Sequence, residues 1–347
     1  MRLGVDFGTT RTTAAQVDRG NYPVIAFDDE GGDVQEFVPS IAALDGDRLV
    51  YGSEAQRLAL EGAPHLRSFK RLLADPDVTP ATTVRLGNRD VNLLRLVTGF
   101  LAHVGDMVRT GSSVSEVPAD EPLEAVIGIP AHAYSAQRFL TLEAFRAAGF
   151  EVLAMVNEPS AAGFEYTHRH AATINSRRRR VLVYDLGGGT FDVSLVSVDG
   201  TSHEVLGSRG NNLLGGDDFD EVLAGLAAAG AGTSRAELGE VAWQGLVDAA
   251  RTAKESLNPR SRWITLEVED HPVSVDVARY YEAVDPLIAS TITTMEPLME
   301  DLGDGASALA ADVAGLYVVG GGSELPAIAR QLRSRYGRRV HRSPHSA

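Results

Sequence analysis

Two residue types are nearly missing from this chain of 347 residues: cysteine is absent, and lysine occurs only twice, at Lys70 and Lys254. The absence of cysteine excludes disulfide bonds and thiol chemistry. It also fits a reducing compartment, so we expect a cytoplasmic protein. Because a lysine ammonium acts as a compact point charge that a planar guanidinium cannot imitate, both lysines become candidates for contact with a phosphate group or a water.

Long apolar runs and excess positive charge are missing as well. The longest stretches without Asp, Glu, Lys or Arg span thirteen residues, at 125–137 and 222–234. A membrane-spanning helix needs about 20 apolar residues, so we expect no membrane partner. The net charge of −15 disfavours a nucleic-acid partner. The length and the 44% hydrophobic content instead favour about two globular domains.

The stretch at 180–198, RVLVYDLGGGTFDVSLVSV, carries the clearest chemical pattern. Two alternating, β-branched runs joined by Gly187, Gly188 and Gly189 predict a hairpin whose backbone N–H groups can converge on an anion. Thr190 adds a hydroxyl donor, and flanking carboxylates at Asp185 and Asp192 would suit a hydrated Mg²⁺. An ordinary glycine hairpin in a sheet is the alternative for this stretch alone.

The same design occurs a second time, which indicates an internal duplication. Asp6-Phe7-Gly8 precedes Asp185-Leu186-Gly187 by 179 positions, about half of the chain. EAVIGIP at 124–130 and LYVVGGGSELP at 316–326 each predict a buried strand, a breaker and then a helix. The sequence therefore predicts a duplicated α/β protein with two phosphate-binding hairpins that face each other across a cleft.

Six motifs in order resemble the nucleotide-binding domain of the 70-kilodalton heat shock (DnaK-like) chaperones. They are GVDFGTT, AVIGIP, NEPSAAGFEY, VYDLGGGTFDVS, LLGGDDFD and VVGGGSELP. SFKRLL at 68–73 is also similar to the segment that carries the catalytic lysine of that family. The resemblance covers essentially the whole length and implies the actin-like ATPase fold, a duplicated ribonuclease H-like α/β fold, with Mg²⁺ and ATP or ADP as ligands.

The resemblance implies a role for each matching position. Mg²⁺ would be held through water by Asp6 and Asp185, with Glu158. The residues implied for catalysis are Lys70, Glu158, Thr190 and Asp192. The residues implied for nucleotide binding are Gly8, Thr9, Thr10, Gly187, Gly188, Gly189, Gly215, Gly216, Arg251, Lys254, Gly320, Gly321, Gly322 and Glu324.

The same resemblance implies two lobes around a nucleotide cleft. Lobe I would cover 1–176, with a core at 1–37 and 120–176 and a peripheral subdomain at 38–119. Lobe II would cover 177–347, with a core at 177–215 and 286–347 and a peripheral subdomain at 216–285. The family continues into a peptide-binding domain where this sequence ends, so we expect a shortened form without that domain. Its partners would be the nucleotide, a co-chaperone and a nucleotide-exchange factor, with an unfolded client bound only through the absent domain.

Two positions depart from the family pattern. The family usually has an acidic residue where Arg251 stands and an arginine where Glu324 stands, so the signs are exchanged. We hypothesise that Arg251 lies over the base and pairs with Glu324 across the cleft, which would alter the adenosine pocket.

An ATP-driven chaperone ATPase, with slow hydrolysis, is the function that the motifs favour. Three alternatives remain: an actin-like filament protein, a metabolite kinase of the same superfamily, and a nucleotide-binding regulator with little hydrolysis. Actin-like filament proteins do not usually carry a lysine of the SFKRLL type. A metabolite kinase would need a catalytic aspartate on the substrate side, which we cannot assign. The third follows from the altered adenosine pocket.

Overall fold

The computed structural model describes residues 1–28, 32–114, 117–300 and 309–344 of the chain. The chain divides into two compact units, Met1–Glu158 and Pro159–Ala347. The lobe and subdomain boundaries expected from the sequence, including the one at 176/177, stay a prediction.

The first unit contains twelve described strands and four complete helices. The strands are Arg2–Phe7 (β1), Arg11–Gln16 (β2), Phe27–Asp28 (β3), Val34–Gln35 (β4), Val38–Pro39 (β5), Ile41–Asp45 (β6), Arg48–Tyr51 (β7), His65–Arg67 (β8), Thr83–Leu86 (β9), Arg89–Asn92 (β10), Leu123–Ile129 (β11) and Phe150–Asn157 (β12). The helices are Gly52–Leu60 (α1), Phe69–Leu72 (α2), Leu93–Thr110 (α3) and Ser135–Ala147 (α4).

A further helix, Glu158–Arg169 (α5), begins at the last residue of the first unit. The strands of the second unit are Arg180–Leu186 (β13), Phe191–Asp199 (β14), Ser202–Asn211 (β15), Trp263–Val268 (β16), His271–Asp276 (β17), Val313–Val319 (β18) and Val340–Arg342 (β19). Its other helices are Gly216–Ala231 (α6), Arg235–Glu255 (α7), Val277–Glu300 (α8) and Pro326–Tyr336 (α9). Short 3-10 helices cover Ala171–Thr173, Gly321–Glu324 and Gly337–Arg339.

Each unit is built around a five-stranded mixed sheet, and the two sheets have the same topology. The strand orders are β5-β2-β1-β11-β12 and β15-β14-β13-β18-β19. In both sheets the first strand of the hairpin pairs antiparallel with the second and parallel with a strand from later in the chain. A helix then leads to a second parallel strand, through α4 in one unit and α9 in the other. The predicted duplicated α/β fold is confirmed.

Aromatic packing fixes the hairpins at their turn ends. Phe7, which precedes the first turn, is fully buried with its ring 6.3 Å from Phe69 and 5.9 Å from Phe100. In the second unit the rings of Tyr184 and Phe191 lie 4.8 Å apart on either side of the glycine turn. Such aromatic pairs contribute more stabilisation than their buried area alone would give, so the residues next to each turn are held firmly in the core.

The spacing of apolar residues predicts the buried side of α4 only in part. Phe139, Leu142 and Phe145 share one predicted apolar stripe, and the structure buries Phe145 but leaves Phe139 53% exposed. Leu140 and Ala144 are buried together with Phe145 instead.

The sequence predicts a long helix from Ser234 to about Leu257 with Val241 facing inward. The structure has this helix as α7, but it is kinked at Gly239, whose φ is 75°, and Val241 is exposed. A single kink rotates the following residues around the helix axis, so a fixed period misplaces them. The sequence also predicts a helix over 284–302, and its end at Leu302 lies outside the described residues.

No helix among the described residues is both long enough and apolar enough to cross a membrane. The cytoplasmic location expected from the composition stays a prediction.

Acidification should destabilise the second unit through His341 on β19. Burial lowers the pKa of His341, and the neighbouring His170, with its ring 4.4 Å away, lowers it further. A histidine whose pKa is depressed by folding takes up a proton on unfolding. The stability it contributes is therefore present above its ordinary pKa of about 6.5 and is lost as the pH falls through the lower folded value.

We expect His341→Gln to remove part of the loss of unfolding free energy between about pH 7.5 and about pH 5.5. Urea unfolding followed by tryptophan fluorescence reports on this unit, because Trp243 and Trp263 both belong to it. His271→Gln, at an exposed position of β17, is the matched control and should keep the wild-type pH dependence. An unchanged pH dependence in the His341 variant would contradict the assignment.

Candidate functional site

The glycine turn after β13 is bound to the N-terminus of α6 by backbone hydrogen bonds. Within the turn the amide of Gly187 donates to the carbonyl of Thr190 at 2.9 Å. The amide of Gly216 donates to the carbonyl of Gly187 at 2.9 Å, and the amide of Asp217 donates to Gly188 at 2.7 Å. The turn and the first residues of the helix therefore form one rigid piece of backbone.

Close contact between backbone segments, and not a left-handed backbone conformation, is what requires glycine here. None of Gly187, Gly188 and Gly189 has a positive φ, which differs from the conformational freedom suggested by the sequence. The decisive contact is at Gly215, where a Cβ atom would lie 2.5 Å from the Cα of Gly189 and 2.6 Å from the carbonyl oxygen of Gly188. At these distances no side chain fits between the two segments.

The second glycine triplet, which follows β18, packs against the same hairpin. Gly320 has a φ of 84°, and a Cβ there would overlap the carboxylate of Asp185 and the carbonyl oxygen of Leu186. A Cβ at Gly322 would lie 2.7 Å from the carbonyl oxygen of Gly187. The structure thus brings together three segments that the sequence singled out, at 185–190, 215–217 and 320–322.

Two carboxylates lie side by side at the base of the glycine turn. Asp185 and Asp192 are direct cross-strand partners in the β13–β14 ladder. Like charges placed opposite each other on a sheet repel, so this arrangement favours a nearby cation. Asp6 occupies the equivalent place in the first unit, opposite Thr13 at the end of β1.

The first turn, Gly8-Thr9-Thr10, is closed by a residue that the sequence analysis missed. The hydroxyl of Ser40 donates to the carbonyl of Gly8 at 3.0 Å and lies 3.0 Å from the hydroxyl of Thr12. A Cβ at Gly8 would also overlap the carbonyl of Arg11. Ser40 carries no local signal, because only the pairing of β2 with β5 brings it to the turn.

The candidate catalytic lysine of the first unit is held by a carboxylate. Nζ of Lys70 lies 3.1 Å from Oε1 of Glu158, with side-chain exposures of 11% and 21%. The ammonium also lies 5.6 Å from the centre of the Phe7 ring, which follows from the packing of its neighbour Phe69 on Phe7. Glu158, the first residue of α5, thus directs its carboxylate to the ammonium of Lys70.

Asp6 and Glu158 both lie beside Gly128 of β11. A Cβ at Gly128 would lie 3.8 Å from Oδ1 of Asp6 and 3.8 Å from Oε1 of Glu158. Among the described residues, no three His, Asp or Glu side chains are clustered to bind a bare metal ion. Mg²⁺ keeps several of its waters and is held by one or two carboxylates, so the donor set of this unit fits a hydrated magnesium ion.

The two candidate cations of α7 are held in a buried carboxylate network. Nζ of Lys254 lies 2.6 Å from Oδ1 of Asp220 and donates to the carbonyl of Gly216 at 2.8 Å. Arg251 donates to Asp220 through Nε at 3.1 Å and to Asp217 through Nη2 at 2.7 Å. Burial raises the pKa of the Asp220 carboxyl, and the charges of Lys254 and Arg251 oppose that rise.

The expected pairing of Arg251 with Glu324 is wrong. Arg251 is held by Asp217 and Asp220, whereas Glu324 lies 2.7 Å from Nη2 of Arg342. Both acidic partners of Arg251 come from the first two turns of α6, which packs along α7. The positive charge at position 251, where the family usually has an acidic residue, is therefore balanced by two aspartates of the neighbouring helix α6.

Gly215→Ala should destabilise the second unit, since the backbone of Gly188 and Gly189 cannot make room for a methyl group. We expect a loss of about 1–3 kcal/mol or more in the free energy of unfolding, the range for overpacking. Gly225→Ala in α6 is the matched control, because a Cβ there meets nothing within 4 Å. It should stabilise by about 0.5–1 kcal/mol through helix propensity. Urea unfolding monitored by tryptophan fluorescence compares them, and equal effects would refute the steric argument.

Comparison with known proteins identifies relatives of this chain. A family model described as Hsp70 protein matches residues 107–345. The chaperone protein HscA homolog of Bordetella pertussis is 31% identical over 351 residues, which cover 97% of this chain and 54% of the relative. The chaperone protein DnaK of Ureaplasma urealyticum is 28% identical over 353 residues, which cover 98% of this chain and 55% of the relative. The chain thus spans about half the length of the curated relatives it matches.

Proposed function

The chain belongs to the heat shock protein 70 family and has the actin-like ATPase fold of that family, and on this premise we propose that it binds ATP with Mg²⁺ and hydrolyses it. The ion pair between Lys70 and Glu158 is the observation that carries this proposal. The motif SFKRLL suggested a catalytic lysine from sequence, and in the folded unit that lysine lies against an acidic residue of a second motif, NEPSAAGFEY.

In the first unit, Lys70 would place its ammonium against a phosphate oxygen or the attacking water. Its position is set by Phe69 in the core and by the carboxylate of Glu158. Phosphoryl transfer needs little covalent chemistry from a protein, and its rate depends on positioning and on stabilisation of the γ-phosphoryl charge. A fixed, largely buried ammonium can provide both. Thr9 and Thr10 would contribute hydroxyl and amide donors to the phosphates.

In the second unit, the amides of Gly188, Gly189 and Thr190 would hold the phosphates, because the amide of Gly187 already donates within the turn. Gly187, Gly188 and Thr190 lie in a turn that is fixed by its hydrogen bonds to α6. Donors that are already in place before the ligand arrives need no reorganisation during the reaction. Asp192 would accept a hydrogen bond from the attacking water and orient it. Gly320 and Gly322 let their loop pack onto the glycine turn, where its backbone would approach the flat nucleoside. Lys254 would lie beside that nucleoside.

Carboxylates in each unit would offer oxygen acceptors to the waters of a bound magnesium ion. In the first unit these are Asp6 and Glu158, and in the second unit the carboxylate is that of Asp185. When bound, Mg²⁺ would neutralise part of the phosphate charge.

The role of the hydrolysis would be that of a nucleotide-driven switch in a chaperone. The relatives named above are chaperone proteins and extend well beyond the region they share with this chain. We propose slow turnover and regulation by a co-chaperone and a nucleotide-exchange factor, with any unfolded client bound only through a peptide-binding domain and not through this chain. We further propose that the protein acts in the cytoplasm.

A nucleotide-binding regulator with little hydrolysis is the second candidate. In its favour, the two charged residues that depart from the family pattern near the implied adenosine site are paired within the protein. Arg251 is bound by two aspartates and Glu324 by Arg342. In that case the second unit would bind the nucleotide, and Lys70 would have little effect on the rate at which the nucleotide is hydrolysed.

Single-turnover hydrolysis with Mg²⁺ distinguishes the two candidates. We expect Lys70→Ala to slow the chemical step at least about 100-fold while ATP still binds, because one preorganised charge at a transition state contributes on this scale. Arg146→Ala removes an exposed cation that pairs with Glu143 on α4 and is the matched control. It should react at the wild-type rate. Equal rates for the Lys70 variant and the wild type would favour the regulator, and a chain that binds no ATP would refute both.

A further inference from the structure

Asp220 is a fully buried carboxylate that binds two cations of α7, Arg251 and Lys254. Its exposed fraction is 0%, and its two oxygens are divided between Lys254, at 2.6 Å from Oδ1, and Arg251, at 3.1 Å from Oδ2. It lies one turn into α6, four residues after Gly216. A buried carboxylate costs free energy unless it is paired, and the two ion pairs offset that cost.

Lys254 connects this carboxylate to the glycine turn. Besides Asp220, its ammonium binds the carbonyl of Gly216 at 2.8 Å. Gly216 in turn donates its amide to the carbonyl of Gly187 at 2.9 Å. A Cβ at Gly216 would lie 3.3 Å from Nζ of Lys254 and 3.4 Å from Cα of Gly188, so the three groups are in close contact. A continuous chain of bonds therefore runs from Asp220 through Lys254 and Gly216 to the turn.

We propose that Asp220 is a positioning residue for nucleotide binding, whose buried carboxylate fixes Lys254 and Arg251 beside the glycine turn. This inference rests on the proposed function and assigns to Asp220 an effect through Lys254 rather than contact with the nucleotide. Without the carboxylate, the flexible side chain of Lys254 would keep only a neutral carbonyl partner and would sample several rotamers. Binding would then have to order the side chain, and the affinity would fall.

A double-mutant cycle tests whether Asp220 acts through Lys254. We expect Asp220→Asn to weaken ATP binding about tenfold or more, the range for a lost hydrogen bond to a charged group. The single-turnover rate at saturating ATP should stay within about twofold, because the reacting groups are untouched. In a Lys254→Met background the same change should cost less than about threefold. Full additivity of the two changes, or a reduced rate with unchanged affinity, would overturn the proposal.

Glu221→Gln is the matched control for this cycle. It is the same carboxylate-to-amide change at the next residue of α6, where the side chain accepts from Nε1 of Trp243 at 3.2 Å and lies away from Lys254. Its ATP affinity should equal that of the wild type. An equal loss in both variants would mean that a general weakening of α6, and not the position of Lys254, lowers the affinity.

Lysine-selective isotope labelling gives a second measurement that needs no nucleotide. The chain has only two lysines, so the side-chain NMR spectrum contains two sets of signals, which Lys70→Met and Lys254→Met assign. We expect an ordered, exchange-protected Lys254 ammonium in the wild type and a disordered one in Asp220→Asn, with Lys70 unchanged. An unprotected Lys254 in the wild type would overturn the proposal even if Asp220→Asn does not fold. If the wild type binds no ATP but its Lys254 is protected, the function fails and the assigned contact stands.

Discussion

The backbone of Gly188 and Gly189 lies directly against that of Gly215, with no space for a side chain between them. This contact lets the carbonyls of Gly187 and Gly188 accept hydrogen bonds from the first amides of α6. It thereby sets where α6 begins, and with it the positions of Asp217 and Asp220. Those two aspartates hold Arg251 and Lys254, so the placement of α7 also depends on the absence of a Cβ atom at Gly215.

The two units share the same sheet topology but carry different functional side chains at equivalent places. Both position an aspartate near the end of the first hairpin strand, at Asp6 and Asp185. In the first unit the cation beside the turn comes from the short helix α2, and in the second the cations come from α7. The sheets are nearly fixed by strand pairing, whereas the segments between the strands differ, and the functional differences lie in those segments.

The sequence predicted the hairpins, the duplication and the candidate lysines, because each has a local or compositional signal. Alternation and glycine triplets mark the turns, and the scarcity of lysine marks Lys70 and Lys254. It did not predict the partner of Arg251, the contact of Ser40 with Gly8 or the exposure of Phe139. Each depends on which segments meet in three dimensions, and residue types alone do not determine this.

The two lysines share a physical setting that explains why arginine does not replace them. Each ammonium is mostly buried, at 11% and 10% side-chain exposure, and each is bound to one carboxylate, Glu158 or Asp220. A guanidinium is larger and planar, and its donors diverge, whereas an ammonium can point several donors into one small space. At Lys254 that space is bounded by the backbone of Gly216 and Gly188, where even one added methyl group would crowd Nζ. In a chain that otherwise uses arginine, the backbone around position 254 thus favours the compact charge of a lysine.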